Sequence, residues 1–421
     1  MPTNAPDLAV LGLGYVGMPL VRQAVAAGLG VVGIDPNAAK VEGLRAGRSH
    51  VDDLTDTEIA ALLKTGFMPT VDPGALRGAD TVVICVPTPL SEDGAPDLSA
   101  VISAAETVAA HLSRGTLVVL ESTTYPGTTE EILRPILEQG GLKAGTDFNL
   151  AYSPERIDPG NPVWGIANTP KVIGGVTSRC TERAAAFYGK FIDTVVPVKG
   201  TREAEMAKLL ENTYRHINIA LVNEMAVFCD ELGIDLWESI RAAQTKPFGF
   251  QAFFPGPGVG GHCIPIDPNY LSYKVRTLGY PFRFVELAQE INARMPAYVA
   301  MRVQRLLNAH RKPVNGSSIL LLGVTYKPDI ADERESPARP LARRLLELGA
   351  ELSFHDPYVA RWSLGDVELE RVADLSSAVT AADLVLVTTL HSSYDLHAIA
   401  ADAACIFDTR GRLDGPNVER L

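Results

Sequence analysis

A glycine motif between two predicted strands is the feature that most constrains the fold of this chain. The apolar run Leu8–Leu13 is suited to a buried parallel strand. It leads through Gly12–Gly17, which reads Gly-x-Gly-x-x-Gly, into a helical stretch at 18–27. A second apolar run at 30–34 ends in Asp35. This order of strand, glycine loop, helix, strand and acid is typical of a dinucleotide-binding Rossmann unit.

The residue types in this unit suit the parts of NAD. Gly12 and Gly14 permit a tight turn and the close approach of phosphate oxygens to a helix N-terminus, and Gly17 lets helix and strand pack. The Asp35 carboxylate can accept hydrogen bonds from both ribose hydroxyls and would repel a ribose phosphate, so NAD is favoured over NADP. The predicted cofactor site includes Gly12, Gly14, Tyr15, Val16, Gly17, Asp35 and Lys40.

Further apolar runs extend the predicted sheet, and polar residues follow each of them. Because ligands lie beyond the carboxyl ends of parallel strands, Thr88, Ser122 and Thr123 are expected to contact cofactor or substrate. Glu155 follows another strand and falls in the same ring of loops, either as a proton-transferring acid or as a solvated one.

The segment after Thr123 leads into another predicted helix. Thr128 and Thr129 precede Glu130 and Glu131, which suit a first helical turn. Both threonines are therefore expected to cap that helix.

Size and composition limit the possible classes of protein. A chain of 421 residues is expected to form about two or three domains. The formal charge of −12 argues against a broad nucleic-acid or acidic-membrane footprint, and no apolar run reaches the roughly 20 residues needed to cross a bilayer. The N-terminus does not resemble a signal peptide, and the five scattered cysteines lack metal-ligand spacing. We expect a cytoplasmic protein with reduced thiols and no metal.

A long helix is predicted for the middle of the chain. Apolar residues recur at helical spacing from Glu203 to Leu232, a length of about 45 Å. Lys208 and Asn212 are four residues apart and share one face, where they could hold a water or stabilise an oxyanion. The alternative is an ordinary solvated helical face. A second long helix is predicted at about 284–310.

A glycine- and proline-rich loop lies between the two predicted long helices, within the segment Pro255–Leu271. Cys263 in this loop is a candidate nucleophile, and Asp267 is a candidate acid or base. The alternatives are that Cys263 fills a turn and that the adjacent His262 does the same. Aromatic residues beside the loop glycines suit stacking on a base or sugar ring; the residues concerned are Phe250, Phe254, Gly258 and Gly260.

The C-terminal third repeats the first. The run Ser318–Gly323 echoes the first strand and its turn, and a later strand ends in Asp356, as the second strand ends in Asp35. The later motif glycines are lost, so this copy should bind something other than the NAD pyrophosphate. Lys327 would suit a phosphate or sugar hydroxyl, whereas Arg334 could enter the cleft or pair with its acidic neighbours.

The predicted fold is α/β, with two Rossmann-like, doubly wound parallel-sheet domains joined by a long central helix. We expect an NAD-binding domain at 1–200, a central helical region for dimerisation and catalysis at 201–310, and a second Rossmann-like domain at 311–421. A homodimer is the default expectation for a chain with two long helices.

Six ordered motifs resemble those of the UDP-glucose/GDP-mannose dehydrogenases. They are the glycine motif at 12–17, Glu-Ser-Thr-Thr-Tyr-Pro-Gly-Thr-Thr at 121–129, Ser-Pro-Glu-Arg at 153–156, Glu-Met-Ala-Lys-Leu-Leu-Glu-Asn-Thr at 205–213, Gly-Gly-His-Cys-Ile-Pro-Ile-Asp-Pro at 260–268 and Tyr-Lys-Pro with Arg-Glu-Ser-Pro at 326–337. The resemblance spans nearly the whole chain.

The resemblance implies an enzyme that oxidises the C6 alcohol of a UDP-sugar to a carboxylate with two NAD and no metal. Cys263 would attack the C6 aldehyde and form a thiohemiacetal, then a thioester that water hydrolyses. Lys208 and Asn212 would stabilise the oxyanion, and Asp267 would assist proton transfer. Glu155 and Thr123 would position water or act as base.

The resemblance also implies binding residues. Arg334 would contact the nicotinamide side of the cofactor. The substrate would be bound by Glu155, Arg156, Lys208, Asn212, Phe250, Phe254, Gly258, Gly260, Tyr326 and Lys327. The segment 242–258 is similar to the branch acting on UDP-N-acetylglucosamine; UDP-glucose and UDP-N-acetylmannosamine are the alternatives.

Two other classes of function remain open at this point. A hydroxyacid-type NAD dehydrogenase would explain the first domain and a lysine on a central helix, but not the second Rossmann half or the cysteine loop. A non-enzymatic NAD-binding scaffold would keep the glycine motif but have no use for Lys208, Cys263 and Asp267 together.

Overall fold

The structure, a computed structural model, describes residues 5–51, 54–91, 94–157, 161, 163–261 and 264–421. His262 and Cys263 therefore lie outside the described residues. The chain divides into two compact units: unit 1 comprises Met1–Glu211 with Asn269–Tyr280, and unit 2 comprises Asn212–Pro268 with Pro281–Leu421. The expected three-part division at 1–200, 201–310 and 311–421 stays a prediction.

The sheet of unit 1 begins directly after the N-terminus. Its strands are β1 (Leu8–Leu11), β2 (Val31–Ile34), β3 (Phe67–Thr70), β4 (Thr81–Ile84), β5 (Leu117–Leu120), β6 (Asn149–Tyr152), β7 (Lys171–Gly175) and β8 (Val195–Pro197). They lie in the order β3-β2-β1-β4-β5-β6-β7-β8. Neighbouring strands are parallel except β6 and β7, which are antiparallel.

Helices connect these strands. They are α1 (Gly17–Ala26), α2 (Ala38–Arg45), α3 (Asp56–Thr65), α4 (Ser99–Ala109), α5 (Arg134–Leu137) and α6 (Ser178–Tyr188), and a π-helical turn at Thr129–Leu133 precedes α5. Every residue of β1, β2, β4, β5 and β6 is buried. A strand covered by helices on both faces must be apolar throughout, which is why these segments read as continuous apolar runs.

The middle of the chain is helical, as predicted. It contains α7 (Thr201–Leu232), α8 (Leu236–Gln244), α9 (Asp267–Thr277) and α10 (Arg283–Ala309). The 32 residues of α7 correspond to about 48 Å. In the part of the chain that the structure describes, we find no helix with the length and hydrophobicity needed to cross a membrane.

Unit 2 contains a second parallel sheet. Its strands are β9 (Ser318–Leu322), β10 (Glu351–His355), β13 (Leu384–Val387), β14 (Ile406–Asp408) and β15 (Val418–Arg420), in the order β10-β9-β13-β14-β15; β11 (Arg361–Ser363) and β12 (Glu368–Glu370) form a separate antiparallel pair. The helices α11 (Ala338–Glu347), α12 (Leu375–Ala381) and α13 (Leu396–Asp402) complete it.

Alternate residues of β9 enter two different cores. Ile319 and Leu321 pack with residues of α10 and α11, whereas Leu320 and Leu322 pack with residues of α12 and α13. A sheet with apolar cores on both faces is doubly wound. The predicted fold class, two Rossmann-like domains and a long central helix, is confirmed.

The predicted capping role of Thr128 and Thr129 is wrong. The Thr128 hydroxyl donates to the Tyr125 carbonyl (2.7 Å) and makes no cap, and the Thr129 hydroxyl donates to Glu205 Oε1 (2.7 Å). A tertiary carboxylate therefore replaces the local side-chain cap at this helix start.

Close packing at the glycine motif leads to a first prediction. A Cβ on Gly17 would lie 2.0 Å from the Gly12 carbonyl oxygen, so the main chain of β1 and α1 would have to separate. We expect Gly17→Ala to lower the unfolding free energy by more than about 2 kcal/mol, measured by thermal or denaturant unfolding.

Gly14→Ala is the matched control, because a Cβ on Gly14 meets no atom within 4 Å. This variant should unfold within about 2 °C of wild type and still bind NAD more weakly, since the methyl group occupies the space that a phosphate would approach. Equal unfolding temperatures for Gly17→Ala and Gly14→Ala would contradict the packing argument.

Candidate active site

The acid that follows β2 is anchored for ligand binding. Asp35 is buried; its Oδ2 accepts from Leu13 N (3.1 Å) and Lys40 Nζ (2.7 Å), and its Oδ1 accepts from Asn37 N (3.0 Å). Burial opposes ionisation, but the hydrogen bond from Lys40 and the two main-chain donors outweigh it and lower the pKa of Asp35. Lys40, predicted to bind the cofactor, lies in the first turn of α2 and is the ionic partner of this carboxylate.

The start of α1 fits a pyrophosphate. α1 begins at Gly17, the last glycine of the motif, and Val16 provides no side-chain cap for its first amides. Uncapped amides at a helix N-terminus attract anions, and the space in front of Gly14 is open. The residues present therefore fit NAD, with Tyr15 partly exposed at the turn.

The carboxyl ends of the next strands carry the predicted loop residues. Ser122 Oγ donates to the Val86 carbonyl (2.7 Å), which ties the end of β5 to the loop after β4. The Thr88 carbonyl accepts from the Tyr270 hydroxyl (2.6 Å). Thr123 follows Ser122 and is half-buried.

Glu155 follows the neighbouring strand β6. Its Oε1 accepts from Ile157 N (2.5 Å), and its Oε2 is buried without a hydrogen-bond partner in the described part of the chain. The next residue, Arg156, forms an ion pair with Glu211 (2.7 Å). Because β5 and β6 are adjacent and parallel, the structure brings Ser122, Thr123 and Glu155 to one edge of the sheet.

The side of α7 that carries Lys208 and Asn212 is buried rather than solvated. Lys208 is only 7% exposed, so the alternative of an ordinary solvated lysine is wrong. Asn212, four residues later in the same helix, is also buried, and its Nδ2 donates to Asp267 Oδ2 at the start of α9. Two of the predicted catalytic residues in unit 2 are therefore in direct contact. Asp267 lies four residues after Cys263 in the sequence.

The described part of the cysteine loop packs closely within unit 2. A Cβ on Gly260 would lie 2.7 Å from Tyr326 Cβ and 2.8 Å from the Glu335 carbonyl, so only glycine fits this approach. A Cβ on Gly258, where φ is +139°, would lie 3.0 Å from Pro337 Cβ. The structure thus brings Gly258 and Gly260 to the Tyr326–Pro337 segment, which also contains Lys327.

Other predicted residues have different environments. Phe254 stacks on Trp237 (5.4 Å between ring centroids, 12° between planes), whereas the Phe250 side chain is exposed. Arg334 donates through Nε and Nη2 to the two carboxylate oxygens of Asp332 (2.8 and 2.7 Å). Pairing of Arg334 with an acidic neighbour was one of the two expectations from the sequence.

Comparison with known proteins gives the family. Models of the UDP-glucose/GDP-mannose dehydrogenase family match residues 7–192 as its NAD binding domain, 202–294 as its central domain and 320–415 as its UDP binding domain. The chain belongs to the UDP-glucose/GDP-mannose dehydrogenase family. It is an NAD-dependent nucleotide-sugar dehydrogenase.

Relatives cover nearly the whole chain. A UDP-N-acetyl-D-mannosamine dehydrogenase of Yersinia pestis is 36% identical over 402 residues, which is 92% of this chain and 94% of the relative. A UDP-N-acetyl-D-glucosamine 6-dehydrogenase of Pseudomonas aeruginosa is 36% identical over 357 residues, 84% of this chain and 83% of the relative. The structure of the UDP-D-ManNAc dehydrogenase from Pyrococcus horikoshii superposes with a TM-score of 0.88 at 33% identity, covering 98% of both chains.

Sequence reasoning missed a half-buried arginine in the UDP binding domain of this dehydrogenase. Arg410 follows β14; its Nε donates to the Thr388 carbonyl (2.6 Å), and its main-chain N donates to Asp408 Oδ1 (2.7 Å). A Cβ on Gly256 would lie 3.0 Å from its guanidinium. Burial lowers the pKa of Arg410 to about 10, so it stays charged at neutral pH beside the loop. The local sequence around Arg410, Asp-Thr-Arg-Gly, matches no motif that would have marked this arginine as a candidate binding residue.

A buried ion pair behind Glu155 was also missed. Glu121, directly after β5, is fully buried and accepts from Lys171 Nζ (3.2 Å) and from the Tyr188 hydroxyl. Lys171 lines the same small pocket as Glu155. Burial would lower the pKa of Lys171, but the Glu121 and Glu155 charges raise it, so the amine stays protonated. A charged residue directly after an apolar strand was the available signal.

His216 provides a test of the buried face of α7. It lies four residues after Asn212, is buried, and neither ring nitrogen has a hydrogen-bond partner among the described residues. Burial lowers the pKa of His216 to about 4. The folded chain therefore keeps this imidazole neutral at pH values where the unfolded chain protonates it.

We predict an acid-dependent loss of stability through His216. Its contribution should be fully present above pH 6.5 and lost as the pH falls towards 4, on the order of 3 kcal/mol of unfolding free energy. His216→Leu should lose correspondingly less than wild type over this range, measured by thermal unfolding between pH 4 and 7.5. The exposed His397→Leu is the control and should follow wild type. Parallel curves for His216→Leu and wild type would contradict the prediction.

Proposed function

We propose that the protein oxidises the C6 hydroxyl of a UDP-N-acetylhexosamine to the carboxylate in two NAD-dependent steps, with Cys263 as nucleophile. The observation that carries this proposal is the buried Asn212–Asp267 pair, of which Asp267 lies four residues after Cys263 in the sequence. A buried amide in contact with a carboxylate suits oxyanion stabilisation and proton transfer for a thiol nucleophile. Neither an NAD-binding scaffold nor a hydroxyacid dehydrogenase needs this combination.

The cofactor contributes one capability: NAD accepts a hydride in each of the two oxidations. Gly12, Gly14 and the uncapped start of α1 would receive its pyrophosphate, and Asp35 would accept hydrogen bonds from its adenosine ribose. Because the Asp35 carboxylate is already held by Lys40 and two main-chain amides, it is oriented before the cofactor binds. Tyr15, Val16, Thr88, Ser122, Thr123 and Arg334 are the other proposed cofactor contacts.

The reaction also depends on groups of the chain itself. The Cys263 thiolate would add to the C6 aldehyde, and oxidation of the resulting thiohemiacetal would give a thioester that water hydrolyses to the carboxylate and the free thiol. Lys208 and Asn212 would stabilise the C6 oxyanion, and Asp267 would accept and return the proton. Glu155, with one buried carboxylate oxygen unpartnered in the described chain, would position the water together with Thr123.

The UDP-sugar would be bound through the negative charge of its phosphates and through its base and sugar rings. The half-buried Arg410 beside Gly256 supports a phosphate site, and Lys327 would add a second cation. The other proposed substrate contacts are Arg156, Phe250, Phe254, Gly258, Gly260 and Tyr326.

The identity of the sugar is inferred from one sequence segment and from the relatives. Segment 242–258 favours UDP-N-acetylglucosamine, while the relatives named above include dehydrogenases of UDP-N-acetylmannosamine and of UDP-N-acetylglucosamine. The two sugars differ only in configuration at C2, away from the reacting C6. Discrimination therefore depends on a few pocket contacts, and both epimers belong in the assay.

Stoichiometry tests the proposal. We expect two NADH per sugar with UDP-N-acetylglucosamine or UDP-N-acetylmannosamine, little with UDP-glucose, and no carboxylate product with Cys263→Ala. Hydroxylamine should trap the wild-type intermediate as a sugar hydroxamate, because it attacks a thioester.

Cys229→Ala is the matched control, since Cys229 is buried in the apolar cluster of α7 and α8. It should form two NADH per sugar as wild type does. Full activity in Cys263→Ala would exclude covalent catalysis, and turnover of UDP-glucose alone would exclude the proposed substrate class.

We also propose that the protein is a homodimer through α7. The second half of this helix exposes Leu221, Phe228 and Leu232, and a stripe of large apolar side chains on a helix marks a contact surface. Leu221→Glu with Phe228→Glu should halve the mass measured by light scattering, whereas the exposed Glu231→Gln should not change it. A wild-type mass equal to one chain would contradict the proposal.

A further inference from the structure

The first turns of α7 carry a buried carboxylate that binds the main chain of a loop. Glu205 is 0% exposed; its Oε2 accepts from Gly127 N (2.6 Å), and its Oε1 accepts from Thr129 N (2.9 Å) and Thr129 Oγ1 (2.7 Å). All these groups lie in unit 1. The three donors belong to the loop that follows β5, 76 to 78 residues earlier in the chain.

The loop is held at both ends, and Thr123 lies between them. At the beginning, Ser122 Oγ donates to the Val86 carbonyl (2.7 Å). At the end, Glu205 binds Gly127 and Thr129. A segment fixed at two points five residues apart has little freedom to move the residues between them.

Glu205 also lies three residues before Lys208 in the same helix. Residues three apart in a helix share a face, and both side chains are buried. One carboxylate therefore connects the loop of Thr123 to the helical turn that carries Lys208.

We propose that Glu205 is a positioning residue, which holds Thr123 in a fixed place relative to Lys208 without contacting substrate or cofactor. This inference rests on the roles proposed above for Thr123 and Lys208. It predicts a specific kinetic pattern. Loss of Glu205 should lower the rate of the chemical step and leave the binding of NAD and UDP-sugar nearly unchanged, because neither ligand touches Glu205.

The ionised form of Glu205 is the one that can accept from all three donors. Burial raises the pKa of Glu205 to about 7, against the hydrogen bonds of Thr129 and Gly127 and with a smaller contribution from the Glu130 charge. Assays at pH 8.5 therefore observe the carboxylate.

Glu205→Gln is the variant that tests the positioning role most directly. The amide keeps the size of the side chain and one oxygen for the Thr129 donors, but its NH2 group would face the Gly127 N–H, donor against donor. At pH 8.5 we expect kcat to fall about 10- to 100-fold while KM for NAD and for the UDP-sugar changes less than about 3-fold. Thr129→Val, which removes one of the three donors, should have an intermediate effect.

Glu203→Gln is the matched control, because Glu203 is an exposed glutamate two residues earlier in α7. It should retain the kinetics of wild type. The inference is wrong if Glu205→Gln has a kcat within about 2-fold of Glu203→Gln, or if its kcat, its affinity for NAD and its unfolding temperature all fall together, which would indicate a structural role.

Hydrogen exchange separates this inference from the proposed substrate. In the full-length protein, the amides of the loop 122–129 should exchange faster in Glu205→Gln than in Glu203→Gln, whatever sugar the enzyme uses. Failure of wild type to oxidise any UDP-N-acetylhexosamine would overturn the proposed function alone. Unchanged exchange in Glu205→Gln would overturn the positioning role alone.

Discussion

Burying polar side chains on one long helix is the constraint on which the rest of this structure depends. Seven polar residues of α7 are buried: Thr201, Glu205, Lys208, Asn212, Thr213, His216 and Asn223. A buried polar group costs free energy unless it finds a partner, and the surrounding segments supply partners to Glu205, Asn212 and Asn223. In unit 1, the Glu205 carboxylate accepts hydrogen bonds from main-chain amides of the loop after β5. In unit 2, Asn212 donates a hydrogen bond to Asp267. Asn223 accepts from Gly256 N (2.9 Å) and donates to Asn292 (2.9 Å).

The two Rossmann halves use the same acid differently. Asp35 keeps a partly exposed lysine as partner, whereas its counterpart Asp356 is fully buried and binds Val324 N (2.8 Å) and His391 Nε2 (2.9 Å). An acid enclosed in this way stabilises the turn after β9 and has no surface left for a ribose. The loss of the later motif glycines from the second copy agrees with this change, and both support a different ligand for unit 2.

Local patterns predicted the fold and much of the candidate site, and long-range contacts account for what they missed. The apolar runs, the glycine motif and the 3.6-residue period of α7 are properties of neighbouring residues, so they can be read from one sequence. Long-range contacts join residues tens of positions apart in the capping of Thr129 by Glu205, the pairing of Glu121 with Lys171 and the hydrogen bond of Arg410 to Thr388. Threonine before two glutamates is a valid local cap signal, and here a tertiary carboxylate outcompeted it.

The anchors on α7 bind main-chain amides, and this choice has a mechanical consequence. A contact between two side chains constrains the backbone only through rotatable bonds, whereas a hydrogen bond to a main-chain N–H fixes the chain itself. Glu205 binds Gly127 N and Thr129 N, and Asn223 binds Gly256 N. Each is therefore suited to hold a loop rather than a single side chain. The reaction proposed above keeps one sugar through two oxidations and would need loops of this kind, because the aldehyde must not move between the first step and the second.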